Sequence, residues 1–191
     1  MGSLFDNLYD VLFQPWVAMR NMAESKNVGQ AISVFFCSIL VPIWALYFGL
    51  KDTGLAMMFH VLVMFKVIGS LMIWIMGVAI WQLTAEFFGG RGTAVGLFVT
   101  LGFAHIPRIF MVPLWAMVTV MPSSTKTFLL SISVLVLVFW SLYLDVVAIR
   151  EVHQLSTAKS VLVLMSPIIG IGVLCAVIAI FIGSGLINMS M

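Results

Sequence analysis

Residues 55–81 read LAMMFHVLVMFKVIGSLMIWIMGVAIW. The run is about 27 residues long and carries a single charge, Lys66. A helix needs only ~20 apolar residues to cross the ~30 Å hydrocarbon core of a bilayer, so this stretch predicts a transmembrane helix. Four further apolar stretches flank it, at about 28–50, 94–121, 128–149 and 160–186. The composition agrees: 63% of the 191 residues are apolar and 8% are charged, against roughly 25% charged in a soluble domain. That little charge cannot cover a water-facing surface, and five spans leave no room for a separate soluble enzyme domain. A formal net charge of +2, dispersed along the chain, gives no footprint for nucleic acid, and so apolar a chain is not intrinsically disordered. The expected fold is all-α: an integral membrane bundle of five transmembrane helices over 28–191, preceded by a short amphipathic segment over 1–27.

In that first segment Leu4, Phe5, Leu8, Val11, Leu12, Trp16 and Met19 recur at spacings of three and four, with Asp6, Asn7, Asp10 and Gln14 between them. This is the periodicity of an amphipathic helix. Pro15, which tolerates only the first turn of a helix, divides it into two. Two short helices lying in the membrane interface are expected, anchored by Trp16, with no cleavable signal peptide. The third span is interrupted at Ile106-Pro107-Arg108, where a missing N–H predicts a kinked helix rather than two half-spans. Cys37 and Cys175 lie inside apolar runs without a ligand partner and read as buried thiols.

Lys and Arg distribute unevenly on alternate sides. Arg20, Lys26, Arg91, Arg150 and Lys159 fall on one side, and Lys51 and Lys126 on the other. The positive-inside rule then places the N-terminus in the cytosol and the C-terminus outside.

Three ordered motifs carry a resemblance. Glu86-Phe-Phe-Gly-Gly-Arg-Gly92 follows the long second span. Leu101-Gly-Phe-Ala-His-Ile-Pro-Arg108 breaks the third. Trp140-Ser-Leu-Tyr143 leads into Ala148-Ile-Arg-Glu-Val-His-Gln-Leu-Ser-Thr-Ala-Lys159. Together with Val11-Leu-Phe-Gln-Pro15, they resemble the Yip-domain family of five-span membrane proteins. The resemblance implies a non-enzymatic role in membrane organisation, trafficking or lipid handling. Eukaryotic members bind prenylated Rab-type GTPases and carry a long cytosolic region before the first span. This sequence has no such region ahead of residue 28, so the resemblance points to a prokaryotic type of member in the plasma (inner) membrane, without implying Rab binding.

The polar residues define the candidate sites. Gly89-Gly90-Arg91-Gly92 has no following Lys-Ser or Lys-Thr and reads as a tight turn, with Arg91 available to a lipid phosphate. Asp145, His153 and Ser156 are the residue types of a hydrolytic triad, but a short loop between spans offers no oxyanion hole, so no catalytic residue is assigned. Glu86 and Asp145 instead read as acceptors for Arg150, His153 or Lys159. With Glu151, these six form an expected cytosolic clamp or partner surface. His60, His105 and His153 lack neighbours at ligand spacing, so neither metal nor cofactor is expected.

Lys66 and Arg108 fall well inside their spans, where a charge costs at least ~2.5 kcal/mol. Lys66 either snorkels to the outer interface, takes with Arg108 an internal ion-pair or hydrogen-bonded structural role, or joins Arg108 and His105 in a lipid or anion site opened by the Pro107 kink. The expected partners are membrane lipids, with a protein partner at the cytosolic loops and a homo-oligomer left open. The rival functions are a small-anion or lipid transporter or channel, and a scaffold recruiting a GTPase or other cytosolic protein.

Overall fold

A computed structural model of the chain describes residues 3–50 and 58–189. The expected turn Lys51-Asp52-Thr53-Gly54 and the first residues of the second span lie outside the described residues. Among the described residues there is no strand, and five helical segments are long and apolar enough to cross a membrane.

The polar punctuation of the first 27 residues builds two helices. Ser3 caps α1 (Leu4–Phe13): its Oγ accepts from the Asp6 N–H while the Asp6 carboxylate accepts from the Ser3 N–H, a reciprocal capping box. Pro15 opens α2 (Pro15–Ser25) at its first turn, and Lys26, at φ 48°, ends it. Val11, Ala18, Met19 and Met22 are buried, and α2 lies against the third and fourth spans. Phe5, Tyr9 and Phe13, spaced by four, stay exposed on the other side of α1.

The first spanning helix has the bounds that hydropathy marks, whereas the second, fourth and fifth run past the marked ends at the end of the bundle that holds α1 and α2. The first is α3 (Val28–Leu50). The second, α4 (Phe59–Phe87), continues six residues past Trp81. The fourth and fifth are α7 (Ser123–His153) and α8 (Thr157–Met189). Hydropathy locates the part of a helix that lies in hydrocarbon, whereas the hydrogen-bond ladder runs on through polar ends such as Gln82-Leu83-Thr84-Ala85-Glu86.

The third span breaks into α5 (Ala94–Ala104), a 3-10 helix (Ile106–Phe110) and α6 (Met111–Thr119). Pro107 brings no N–H to the Phe103 carbonyl, and the chain recovers with an i→i+3 bond, from Arg108 N–H to the His105 carbonyl at 3.1 Å. The kink is therefore a full 3-10 turn rather than a bend at one residue.

The best-packed part of the core is the end of the bundle that holds α1 and α2, here the N-terminal end. Phe35, Leu97, Leu101, Phe103, Leu144 and Ile149 are fully buried there. Helix α8 packs through Ser160, Val163 and Leu164, but every residue from Ile168 to Ile180 is exposed. Cys37 and Cys175 are also exposed, which corrects their expected burial. In a membrane bundle the outward face of a span is as apolar as its core, so an apolar neighbourhood does not imply an interior position.

Candidate functional site

Helix periodicity sorts the sequence-predicted residues into two places. Lys66 and Ser70, one turn apart on α4, face Ser38, Ile39 and Pro42 of α3. His105 and Arg108, at the break in the third span, complete the wall with Met111 and Trp115 of α6. The open cavity between them has a volume of about 480 Å³ and no carboxylate on its lining. Lys66, His105 and Arg108 are thus brought together, and Arg91 is not among them. Lys66 and Arg108 both remain exposed to the surroundings of the bundle. At ~1.5 Å per residue, Lys66 lies about 10 Å below Phe59 and Arg108 about 21 Å above Ala94. Both belong to the half of the bundle away from the N-terminal end.

Local chemistry makes this groove polar. The Nδ1 of His105 lies 2.7 Å from the Leu101 carbonyl. A carbonyl can only accept, so Nδ1 carries the proton and Nε2 is left to the cavity. Ser38 donates its hydroxyl proton to the Val34 carbonyl at 2.8 Å, which leaves its oxygen lone pairs. Pro42 brings no N–H to the Ser38 carbonyl, so an acceptor is freed on the same wall. Below the cavity, towards the N-terminal end, lies an aromatic floor. Trp74 stacks between Phe35, at 4.1 Å, and Phe98, at 4.0 Å, and Phe35 meets the His105 ring edge-on at 5.1 Å. The Trp74 indole N–H is buried in this stack without a partner.

Asp145 departs from the expected clamp. Its charged neighbour is Arg108, not Arg150, His153 or Lys159. The reason is angular: five residues at 100° each turn Arg150 about 140° away from Asp145 on α7. Asp145 instead faces the broken third span and counters part of the Arg108 charge.

The other clamp residues meet at the N-terminal end. Glu151 is buried and receives Arg20 at 2.7 Å and the Arg150 Nε at 3.6 Å. Arg150 also donates to Thr157 Oγ1 at 3.3 Å and lies 4.4 Å from the Trp16 ring centre. Trp16, expected as an interfacial anchor, is thereby tied to α7. Lys159 donates to the Phe88 carbonyl at 3.1 Å, joining the start of α8 to the end of α4. His153 is buried and accepts the Gly92 N–H on Nδ1 at 3.2 Å, with Glu86 as its charged neighbour. Glu86 accepts from Gln82 at 2.7 Å, and the same Gln82 amide donates to the Gly92 carbonyl at 3.1 Å.

Two members of this network, Arg20 and Gln82, were missed as site residues. Gln82 had a signal, a polar residue one helical turn before Glu86. Arg20 had only its place beside the buried stripe of α2. The α4–α5 turn is held by sterics and dihedrals. Gly89 sits at φ +87°, a region costly for any other residue. A Cβ on Gly92 would come within 2.5 Å of the Val152 carbonyl oxygen.

Arg91 lines a different cavity, of about 840 Å³, between α2, the α4–α5 turn and the end of α7. Among the described residues no group of three or more His, Cys, Asp or Glu side chains is placed to hold a metal ion.

The family model described as Yip1 domain matches residues 9–182. Neither the curated proteins nor the solved structures yielded a match.

Proposed function

Because the chain belongs to the Yip1 domain family, a family of membrane proteins, we propose that it works on lipid, holding the headgroup of an anionic lipid in the groove between α3, α4 and the broken third span. The observation that carries this reading is the convergence of Lys66, His105 and Arg108 on one cavity without a lining carboxylate. Two exposed cations in the membrane-embedded half of a bundle, with Asp145 only a partial counter-charge to Arg108, are expensive unless water or a further anion meets them. A lipid phosphate entering sideways answers both, since guanidinium and ammonium donors suit its oxygens. His105 Nε2 and the Ser38 oxygen are acceptors suited to the hydroxyl or amine part of a headgroup. In this reading the N-terminal end is cytosolic and the groove belongs to the opposite leaflet.

The aromatic floor favours holding over conduction. A channel for small anions needs a continuous wet path, whereas Phe35, Trp74 and Phe98 stack across the helices on the N-terminal side of the cavity. The test is native mass spectrometry of the full chain released from nanodiscs of mixed phosphatidylglycerol and phosphatidylcholine. Wild type should retain the anionic lipid preferentially, and Lys66→Leu with Arg108→Leu should lose that preference. Lys66→Arg with Arg108→Lys should keep it. Equal retention of both lipids by wild type and the leucine variant would refute the reading.

A further inference from the structure

The second cavity stands apart from the lipid groove, at the opposite end of the bundle. It is a concave site of about 840 Å³, within the range of small-molecule sites. Arg20, Lys26, Arg91 and Arg150 line it, against Glu24 and Glu151. The charge does not cancel. Glu151 is the deeper carboxylate, its side chain 6% exposed, and it is shared by Arg20 and Arg150. The side chains of Arg91 and Lys26 make no ion pair among the described residues.

The two shared guanidiniums are held rather than free. Arg20 spends Nε and one terminal nitrogen on Glu151, at 3.1 and 2.7 Å, and keeps the other terminal nitrogen. Arg150 is fixed from three sides, by Glu151, by Thr157 Oγ1 and by the face of Trp16, and it too keeps a terminal nitrogen. Positioned donors lose less entropy on binding than free ones. Thr93 and Gly96 place the first turn of α5 on the same wall, which adds the positive end of a helix dipole. The cations converge from three places in the fold: Arg20 and Lys26 from α2 and its C-cap, Arg91 from the turn after α4 and Arg150 from α7.

We propose that this cavity binds a phosphomonoester or diphosphate group, with Arg91 and Lys26 as the charge-neutralising side chains and Arg20 and Arg150 as pre-positioned hydrogen-bond donors. The group arrives either on a lipid headgroup or on a soluble molecule. Two unpaired cations and two held guanidiniums match a dianion better than the single charge of a phosphodiester.

The test uses the full chain in phosphatidylcholine nanodiscs. One arm titrates inorganic pyrophosphate. The other adds phosphatidic acid, a phosphomonoester lipid, with native mass spectrometry as readout. Saturable binding in at least one arm is expected, and the arm identifies the source. Arg91→Gln with Lys26→Asn should weaken it about tenfold or more, while Lys126→Gln, at the opposite end, leaves it unchanged. Asn is chosen at 26 because it tolerates the left-handed backbone. Lys66→Leu with Arg108→Leu, which removes the groove's own cations, is the background for the phosphatidic acid arm: binding that persists there and is lost on adding Arg91→Gln with Lys26→Asn belongs to this site and not to the groove. Glu24→Gln, which removes an exposed lining acid without touching the cations, should tighten binding severalfold. The proposal is overturned by no binding in either arm, by equal affinity in the Arg91 and Lys26 variant, or by weaker binding in Glu24→Gln.

Discussion

Gly92→Ala tests the junction that joins three spans at the N-terminal end. A methyl group there would sit 2.5 Å from the Val152 carbonyl oxygen and 2.6 Å from Val152 Cγ1, about 1 Å inside the ~3.5 Å at which non-bonded atoms settle. The turn cannot simply retreat. The Gly92 N–H donates to His153 Nδ1 and its carbonyl accepts from Gln82, so a shift of 1 Å breaks both bonds. Each is worth about 1 kcal/mol, and overpacking alone costs about 1–3 kcal/mol. The expected loss is therefore about 3–5 kcal/mol. Reversible unfolding in mixed micelles reads it directly, with Gly170→Ala as the control. Nothing lies within 4 Å of a Cβ at Gly170, so alanine there should be neutral or stabilising by up to about 1 kcal/mol through helix propensity. If Gly92→Ala unfolds within 0.5 kcal/mol of wild type, the described junction is wrong.

Three further outcomes follow from other contacts. Glu151→Gln should destabilise by about 1–2 kcal/mol, the low end for a charge-assisted bond because Arg20 stays mostly in water; reversible unfolding of the variant alone measures it, and no change would mean the pairing is silent. Hydrogen bonds with Ser3, side chain first and backbone second, hold the exposed Asp6 carboxyl below its ordinary range. Since the folded-state pKa is lowered, the cap contributes fully above the unfolded value and is lost only as pH falls through the folded one, below about pH 4; a carboxyl NMR titration of the chain in nanodiscs should find Asp6 titrating below the ordinary aspartate range, and an ordinary value would mean the cap is not formed. A spin label at Tyr9, on the exposed side of α1, should be relaxed more by lipid-soluble oxygen than by a water-soluble nickel complex, whereas the reverse would place that side in water.

The spans were legible because lipid imposes one strong rule: every backbone group must bond within its own helix over ~20 apolar residues. Their ends were less so, because the ladder continues past Trp81 through Gln82 and Glu86, whose polarity reads as loop. Pro107 announced a kink, but the 3-10 turn after it depends on how Arg108 N–H re-bonds to His105. At the site, Lys66, His105 and Arg108 were legible as charges and polar groups without an aqueous home. Their common cavity was not, because it depends on how α3 and α4 face the break. Asp145 was misplaced for a related reason: proximity along α7 suggested Arg150, and the 100° turn per residue chose Arg108. Arg91 stood out beside three glycines, whereas its companions Arg20 and Lys26 come from a segment some 70 residues earlier, which no local pattern connects.

The measurement that bears most directly on the lipid groove is a rotational-echo NMR distance between the labelled guanidinium of Arg108 and lipid phosphorus, taken in phosphatidylglycerol bilayers. A held headgroup predicts a nitrogen-to-phosphorus separation of about 4 Å, as for a direct guanidinium–phosphate bond, lengthening beyond detection when Lys66 and His105 are both replaced by Leu. No dephasing in wild type would contradict the account and leave Arg108 as the counter-charge of Asp145 alone.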